Sequence, residues 1–223
     1  MKLFVDSANL VEIEEALERG FVSGITTNPS ILSKEEKGDY HAHIGKLINL
    51  VARHGPLLPL SVEVFTADPI EMHAQADELT KQFRAYPGLY IKIPIGWAEL
   101  VIIRQLREEG VQVNCTCCMS VNQVLLAAAA GASIVSLFYG RIKDTGQDAS
   151  AVVRAAAEIL KVGDVDVELL VGSIRHPSDV MEAFLAGADI VTVPPPILRQ
   201  MVVHPKTDEA VKQFLADFER WQR

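Results

Sequence analysis

The feature that most restricts the fold is an alternation running the length of the chain, in which short apolar runs are separated by longer amphipathic segments. The runs are KLFVD (2–6), VSGITTN (22–28), PLSVEV (59–64), LYIKIP (89–94), VQVNCT (111–116), SIVSLFYGR (133–141), VELLVGSIR (167–175) and DIVTVP (189–194). Between them lie stretches with helical spacing, among them ADPIEMHAQADELTKQFRAY (67–86), WAELVIIRQLREEG (97–110), SVNQVLLAAAAGA (120–132) and HPSDVMEAFLAGA (176–188). Several end in glycine followed by alanine or valine, as expected of a helix C-cap leading into a strand.

Short apolar strands alternating with helices imply βα units and a parallel sheet. Eight runs are the number a (β/α)8, or TIM, barrel requires, here in 223 residues against the usual ~250. An open doubly wound sheet is the competing architecture, but no run leads into the G-x-G-x-x-G turn of a dinucleotide fold. No linker or low-complexity segment interrupts residues 1–223, which read as a single barrel domain. TDEAVKQFLADFERWQR (207–223) lies beyond the eighth unit and reads as an additional C-terminal helix that packs on this subunit or on a neighbour.

With 21 basic and 29 acidic residues the formal net charge is −8, which repels nucleic acid and anionic membrane alike, so an anionic substrate needs a local cationic pocket. The longest apolar stretch, VLLAAAAGASIVSLF, is shorter than the roughly 20 residues of a membrane span and is divided by Gly131. Asp6 interrupts the first apolar run, so no secretory leader is read and a soluble, cytoplasmic protein is expected. Cys115, Cys117 and Cys118 form neither a disulfide framework nor a zinc-ligand spacing and read as buried thiols; the histidines show no ligand spacing either. No metal and no cofactor is expected.

Lys92 stands among Leu89, Tyr90, Ile91 and Ile93 with no acid beside it in sequence. Burying an ammonium is costly, so the bland account is an edge lysine whose stem snorkels to water. Strand parity argues otherwise. Tyr90 shares a face with Lys92, and the equivalent mixed faces carry Lys2, Phe4 and Asp6; Ser61 and Glu63; Gln112, Asn114 and Thr116; Ile134, Ser136 and Phe138; and Val171, Ser173 and Arg175. The opposite faces are apolar and suit packing on helices. The polar groups then converge in the lumen, toward the C-terminal strand ends where such barrels build their sites.

A lysine in a low-dielectric lumen is expected to have a depressed pKa and to attack a carbonyl as the neutral amine, which is Schiff-base chemistry. Making an imine from a ketose and cleaving the adjacent carbon–carbon bond both move protons, work that Glu63 and Asp6 on separate strands could share. Asn28, Asn114 and Ser136 suit a polyol, while Arg141, Arg175 and Ser173 suit a phosphate. Taken singly, Thr116 or Ser136 reads as a satisfied core hydroxyl, Asn28 before Pro29 as a turn residue, and Arg141 with Asp144 as a surface ion pair.

DSAN (6–9), GITTNPSIL (24–32), SVEV (61–64), IKIP (91–94), FYGRI (138–142) and GSIR (172–175) together resemble the transaldolases, in the short subfamily shared with the fructose-6-phosphate aldolases, over essentially the whole chain. The resemblance implies a metal-free class I aldolase barrel of the pentose phosphate pathway. It would move a dihydroxyacetone unit from a ketose phosphate, such as sedoheptulose 7-phosphate or fructose 6-phosphate, to an aldose phosphate. By that resemblance Lys92 matches the Schiff-base lysine, Asp6 the acid/base on the cleaved hydroxyl, and Glu63 with Thr116 the pair that handles a catalytic water. Asn28, Asn114 and Ser136 match the dihydroxyacetone binders, and Arg141, Ser173 and Arg175 the phosphate site.

The aldolase branch tends to carry glutamine at the position of Glu63 and tyrosine at that of Phe138, so both positions favour transaldolase over an aldolase releasing free dihydroxyacetone. A catalytically idle sugar-phosphate-binding barrel is disfavoured because Lys92, Asp6 and Glu63 are all present. The family also implies a homo-oligomer, typically a ring-shaped decamer with an exchanged C-terminal helix. Gly96 before Trp97, Leu137 and the run CTCC depart from the usual pattern and bear on substrate preference.

Overall fold

In a computed structural model that describes residues 1–163 and 165–223, eight parallel strands close into a barrel in chain order. They are β1 (Lys2–Asp6), β2 (Val22–Thr26), β3 (Leu60–Glu63), β4 (Leu89–Pro94), β5 (Val113–Cys118), β6 (Ile134–Phe138), β7 (Glu168–Gly172) and β8 (Ile190–Val193). Pairing of β1 with β8, from Lys2 opposite Ile190 to Val5 opposite Val193, closes the ring and excludes the open-sheet alternative. The helices are α1 (Leu10–Leu17), α2 (Pro29–Leu32), α3 (Tyr40–His54), α4 (Pro69–Gln82), α5 (Glu99–Glu108), α6 (Val121–Ala130), α7 (Tyr139–Asp144), α8 (Ala149–Val162), α9 (Pro177–Leu185), α10 (Pro195–Met201) and α11 (Pro205–Gln222). The chain is a (β/α)8 TIM barrel with a C-terminal helix appended.

Local chemistry sets the helix ends. Asn9, Asp39, Asp68, Ser120 and Asp148 each accept hydrogen bonds from first-turn amides, contacts worth about 1 kcal/mol apiece. At the other end Gly131 and Gly187 take φ of 101° and 104°, a left-handed turn that a side chain would strain.

The barrel buries two different surfaces. Outward residues such as Val5, Ile25, Val62, Ile91 and Val135 pack against the helices in one continuous core. Inside, Phe4, Tyr90, Ile134, Leu170 and Ile190 plug the lumen with a separate apolar cluster. Ser61 and Asn114, near the starts of their strands, and Thr26, Lys92, Thr116, Ser136 and Thr192, farther along theirs, are also buried. An apolar floor beneath a polar mouth is the arrangement that strand parity implies for β1, β3, β4, β5 and β6.

In β7 the expected parity is one residue out of phase. Leu170 belongs to the lumen cluster and Val171 to the outer core, so Val171 does not face inward. Ser173 still reaches the barrel mouth because its φ of 58° breaks the alternation just past the strand. The run SIVSLFYGR is also not all strand: β6 stops at Phe138 and α7 starts at Tyr139, which puts Arg141 on a helix.

The appended helix begins at Pro205, slightly earlier than expected, and none of its residues is buried. Among the described residues no helix is long and apolar enough to cross a membrane.

Candidate active site

A cavity of about 670 Å³ opens at the C-terminal mouth of the barrel. Of the expected residues, Asp6, Asn28, Glu63, Lys92, Thr116, Ser136, Phe138, Arg141 and Ser173 line it. They come from seven different strands or the segments just after them, brought together by barrel closure.

Lys92 is 5% exposed, and the acid its sequence neighbours lack is supplied across the sheet. Register pairs Glu63 on β3 with Lys92 on β4, and Lys92 Nζ donates to Glu63 Oε2 at 2.7 Å and to the carbonyl of Thr27 at 2.7 Å. The snorkelling account is therefore wrong: the ammonium points inward and is paired. Tyr40 donates its hydroxyl to the Glu63 carbonyl at 2.9 Å, which fixes the backbone at the end of β3. Burial and the Glu63 charge push the Tyr40 phenol upward, so it stays protonated and a donor.

Asp6 ends β1 and accepts a hydrogen bond from Thr26 Oγ1 at 2.9 Å; Thr26 in turn meets Thr192 Oγ1 at 2.6 Å. Burial pushes the Asp6 carboxyl above the ordinary carboxylate value, against the opposing pull of the Lys92 charge and the Thr26 hydrogen bond. A carboxyl whose affinity for a proton is raised in this way is suited to take and return one.

A second polar row crosses the lumen. Asn114 Nδ2 donates to Ser61 Oγ at 3.1 Å, and Ser136 Oγ donates to Asn114 Oδ1 at 2.6 Å. Ser136 thus reaches the cavity with its orientation set by Asn114, which is itself fully buried and not part of the lining. Thr116 Oγ1 is buried yet meets no hydrogen-bond partner among the described residues, a hydroxyl left available to whatever enters. Asn28 caps α2 by accepting from the Ile31 amide at 3.0 Å while also lining the cavity, so its turn role and its site role coexist.

The two arginines divide. Arg141 lines the cavity with no ion-pair partner among the described residues, whereas Arg175 does not line it. Arg175 grips Asp144 through two hydrogen bonds of 2.6 Å each, so Asp144 pairs with Arg175 rather than with Arg141 as the sequence reading allowed. Arg175 and Arg141 still belong to adjoining elements, because Gly140 donates its amide to the Ser173 carbonyl at 3.0 Å.

Among the lining residues that the sequence did not single out are Thr26, Lys34, Cys117 and Thr192. Thr26 and Thr192 share the inward parity of their strands and could have been found by it. Lys34 follows α2 and carries no such signal. Cys117 could not have been found by alternation, because a register shift between Cys115 and Cys118 and a φ of 63° at Cys117 turn two consecutive side chains, Thr116 and Cys117, into the cavity. Cys115 and Cys118 are buried as expected; Cys117 is only partly so.

A family model described as transaldolase/fructose-6-phosphate aldolase matches residues 3–223. A probable transaldolase of Heliobacterium modesticaldum is 42% identical over 219 residues, which cover 98% of each chain. Those of Dehalococcoides mccartyi and Geobacillus kaustophilus are each 40% identical, over 223 residues and 100% of both chains in the first case and 220 residues and 99% in the second.

Proposed function

Because the chain belongs to the transaldolase/fructose-6-phosphate aldolase family, we propose that it transfers a dihydroxyacetone unit from a ketose phosphate to an aldose phosphate through an imine on Lys92. The observation that carries this reading is the buried Lys92–Glu63 pair of 2.7 Å at the floor of a polar cavity. Of the lysines among the described residues, Lys92 is the buried one.

The geometry supports a complete proton ledger. Lys92 passes a proton to Glu63 and its free amine attacks the C2 carbonyl; Glu63 returns that proton to the oxygen and then relays a second one to it from the carbinolamine nitrogen, so the oxygen leaves as water and a protonated imine remains. Thr116, with its unpartnered hydroxyl, would hold that water. Asp6 takes the proton of the C4 hydroxyl, the C3–C4 bond breaks, and its electron pair moves into the imine to form an enamine while the aldose phosphate departs. An incoming aldose phosphate is attacked by the enamine carbon, Asp6 protonates the new alkoxide, and hydrolysis of the imine restores Lys92.

Ser136, oriented by Asn114, and Asn28 would hold the hydroxyls of the three-carbon unit, and Arg141 with Ser173 the phosphate. Phe138 lines the cavity without a hydroxyl to donate, which favours an enamine that waits for an acceptor over one protonated and released. Sedoheptulose 7-phosphate and fructose 6-phosphate are the proposed donors. The test is consumption of fructose 6-phosphate with and without erythrose 4-phosphate. Consumption should depend on the acceptor; equally fast release of free dihydroxyacetone without it would assign the aldolase reaction instead.

The appended helix bears on assembly. Val211, Phe214, Leu215, Phe218 and Trp221 form a stripe at helical spacing on α11, each at least half exposed. Apolar area of this kind on a helix that touches so little of its own barrel is best covered by a second copy, in keeping with a cytoplasmic homo-oligomer.

A further inference from the structure

Asp179 is 1% exposed, near the start of α9, and takes no part in the steps above. Its carboxylate is nonetheless surrounded by donors. Oδ2 accepts from the backbone amides of Arg175 at 2.9 Å and His176 at 3.0 Å, and Oδ1 accepts from Lys143 Nζ at 3.0 Å. Burial alone would raise this carboxyl, but the two amides and the ammonium hold it below its ordinary value.

The partners belong to two elements. Arg175 and His176 lie in the loop after β7 that also presents Ser173; Lys143 lies on α7, the helix that presents Arg141. A helix of six residues has almost no stability of its own, so contacts must fix its position. Among the contacts that do are the Gly140 amide on the Ser173 carbonyl, the Arg175–Asp144 pair, Lys143 on Asp179, and the Tyr139 hydroxyl on Glu182 of α9. Of these groups only Asp179 is a fully buried charge, with Lys143 reaching it from a side chain that is 44% exposed.

We infer that Asp179, acting through Lys143 and the Arg175 and His176 amides, is a positioning residue that holds Arg141 and Ser173 at the separation a phosphate ester needs. The inference rests on the sugar-phosphate reading of the cavity. It makes the phosphate grip a property of the seam between α7 and the β7–α9 loop, with Arg175 serving the seam through Asp144.

The test compares Asp179→Ala, Asp179→Asn and Lys143→Met with wild type in transfer assays, using fructose 6-phosphate and unphosphorylated fructose as donors. Asp179→Ala should raise KM for fructose 6-phosphate by about tenfold or more while changing kcat by no more than about threefold, with fructose kinetics little altered. Asn keeps one oxygen for the amides but forfeits the ion pair, so Asp179→Asn should be milder, and Lys143→Met should match it and add little to it in the double variant. Lys143 is exposed enough for its variant to fold even if Asp179→Ala does not. Equal losses on both donors, or an unchanged KM for fructose 6-phosphate in Lys143→Met and Asp179→Asn, would overturn the inference. Absence of a borohydride-trapped adduct in wild type with either donor would instead overturn the reading on which it rests.

Discussion

Gly140→Ala places one methyl group into the seam that carries Arg141. A Cβ at this position would lie 2.5 Å from the Ser173 carbonyl oxygen, 2.7 Å from Arg175 Nε and 3.1 Å from Arg175 Cδ. Ordinary contact begins at 3.4 Å, so α7 and the β7–α9 loop must separate by about 0.9 Å, and the Ser173 carbonyl is backbone that cannot swing aside. The Gly140–Ser173 hydrogen bond of 3.0 Å stretches with them. Overpacking of this kind costs about 1–3 kcal/mol, offset by the ~1 kcal/mol that alanine gains over glycine in a helix, so the net loss of stability is about 0–2 kcal/mol. The functional loss should be larger in proportion, because misplacing a binding group by about 1 Å can cost around a hundredfold in rate. The assay is kcat/KM for transfer from fructose 6-phosphate, with the thermal midpoint measured in parallel. Wild-type kcat/KM in a protein whose midpoint has dropped would show that the seam bears on folding alone and does not place Arg141.

Three further outcomes follow from the same geometry. Burial raises the Asp6 carboxyl above 3.8, so Asp6 supports folding only while protonated; that support is complete below the unfolded value and fades as pH rises through the folded one, above which the ionised carboxylate is a liability. Asp6→Asn should therefore abolish transfer yet melt higher than wild type, with a margin that widens as pH rises above the ordinary carboxylate range in differential scanning calorimetry; a margin that narrows contradicts the burial argument. Phe138→Tyr adds a proton donor at the cavity wall and should increase release of free dihydroxyacetone without an acceptor, by up to about a hundredfold, at the expense of transfer; an unchanged product ratio removes Phe138 from the partition. Replacing Phe214 and Trp221 together by serine should lower the sedimentation coefficient by disrupting assembly through α11, whereas a wild-type protein already sedimenting as a 24.4 kDa monomer rules that interface out.

The barrel was legible because burial on both faces of each strand writes continuous apolar runs, and eight of them admit few closures. Lys92, Glu63 and Asp6 were legible for a related reason: an ionisable side chain on an otherwise apolar strand end is an exception that packing alone does not produce. Their pairing was not, since the contact between Glu63 and Lys92 depends on the register of β3 against β4. Alternation failed where the backbone leaves the pleat, at Ser173 and Cys117 with positive φ, so the phase of β7 and the lining role of Cys117 were out of reach. The partner of Asp144 was equally hidden, because Arg175 lies 31 residues away and arrives by the fold of α7 against the β7–α9 loop.

Reductive trapping tests the central claim most directly. Sodium borohydride added with fructose 6-phosphate should reduce the imine to a stable secondary amine, and peptide mapping should find one three-carbon adduct, on the peptide containing Lys92. Lys92→Met should take no label and show no transfer, while retaining the fold by circular dichroism. An adduct on any other lysine, or full transfer activity in Lys92→Met, would contradict the account.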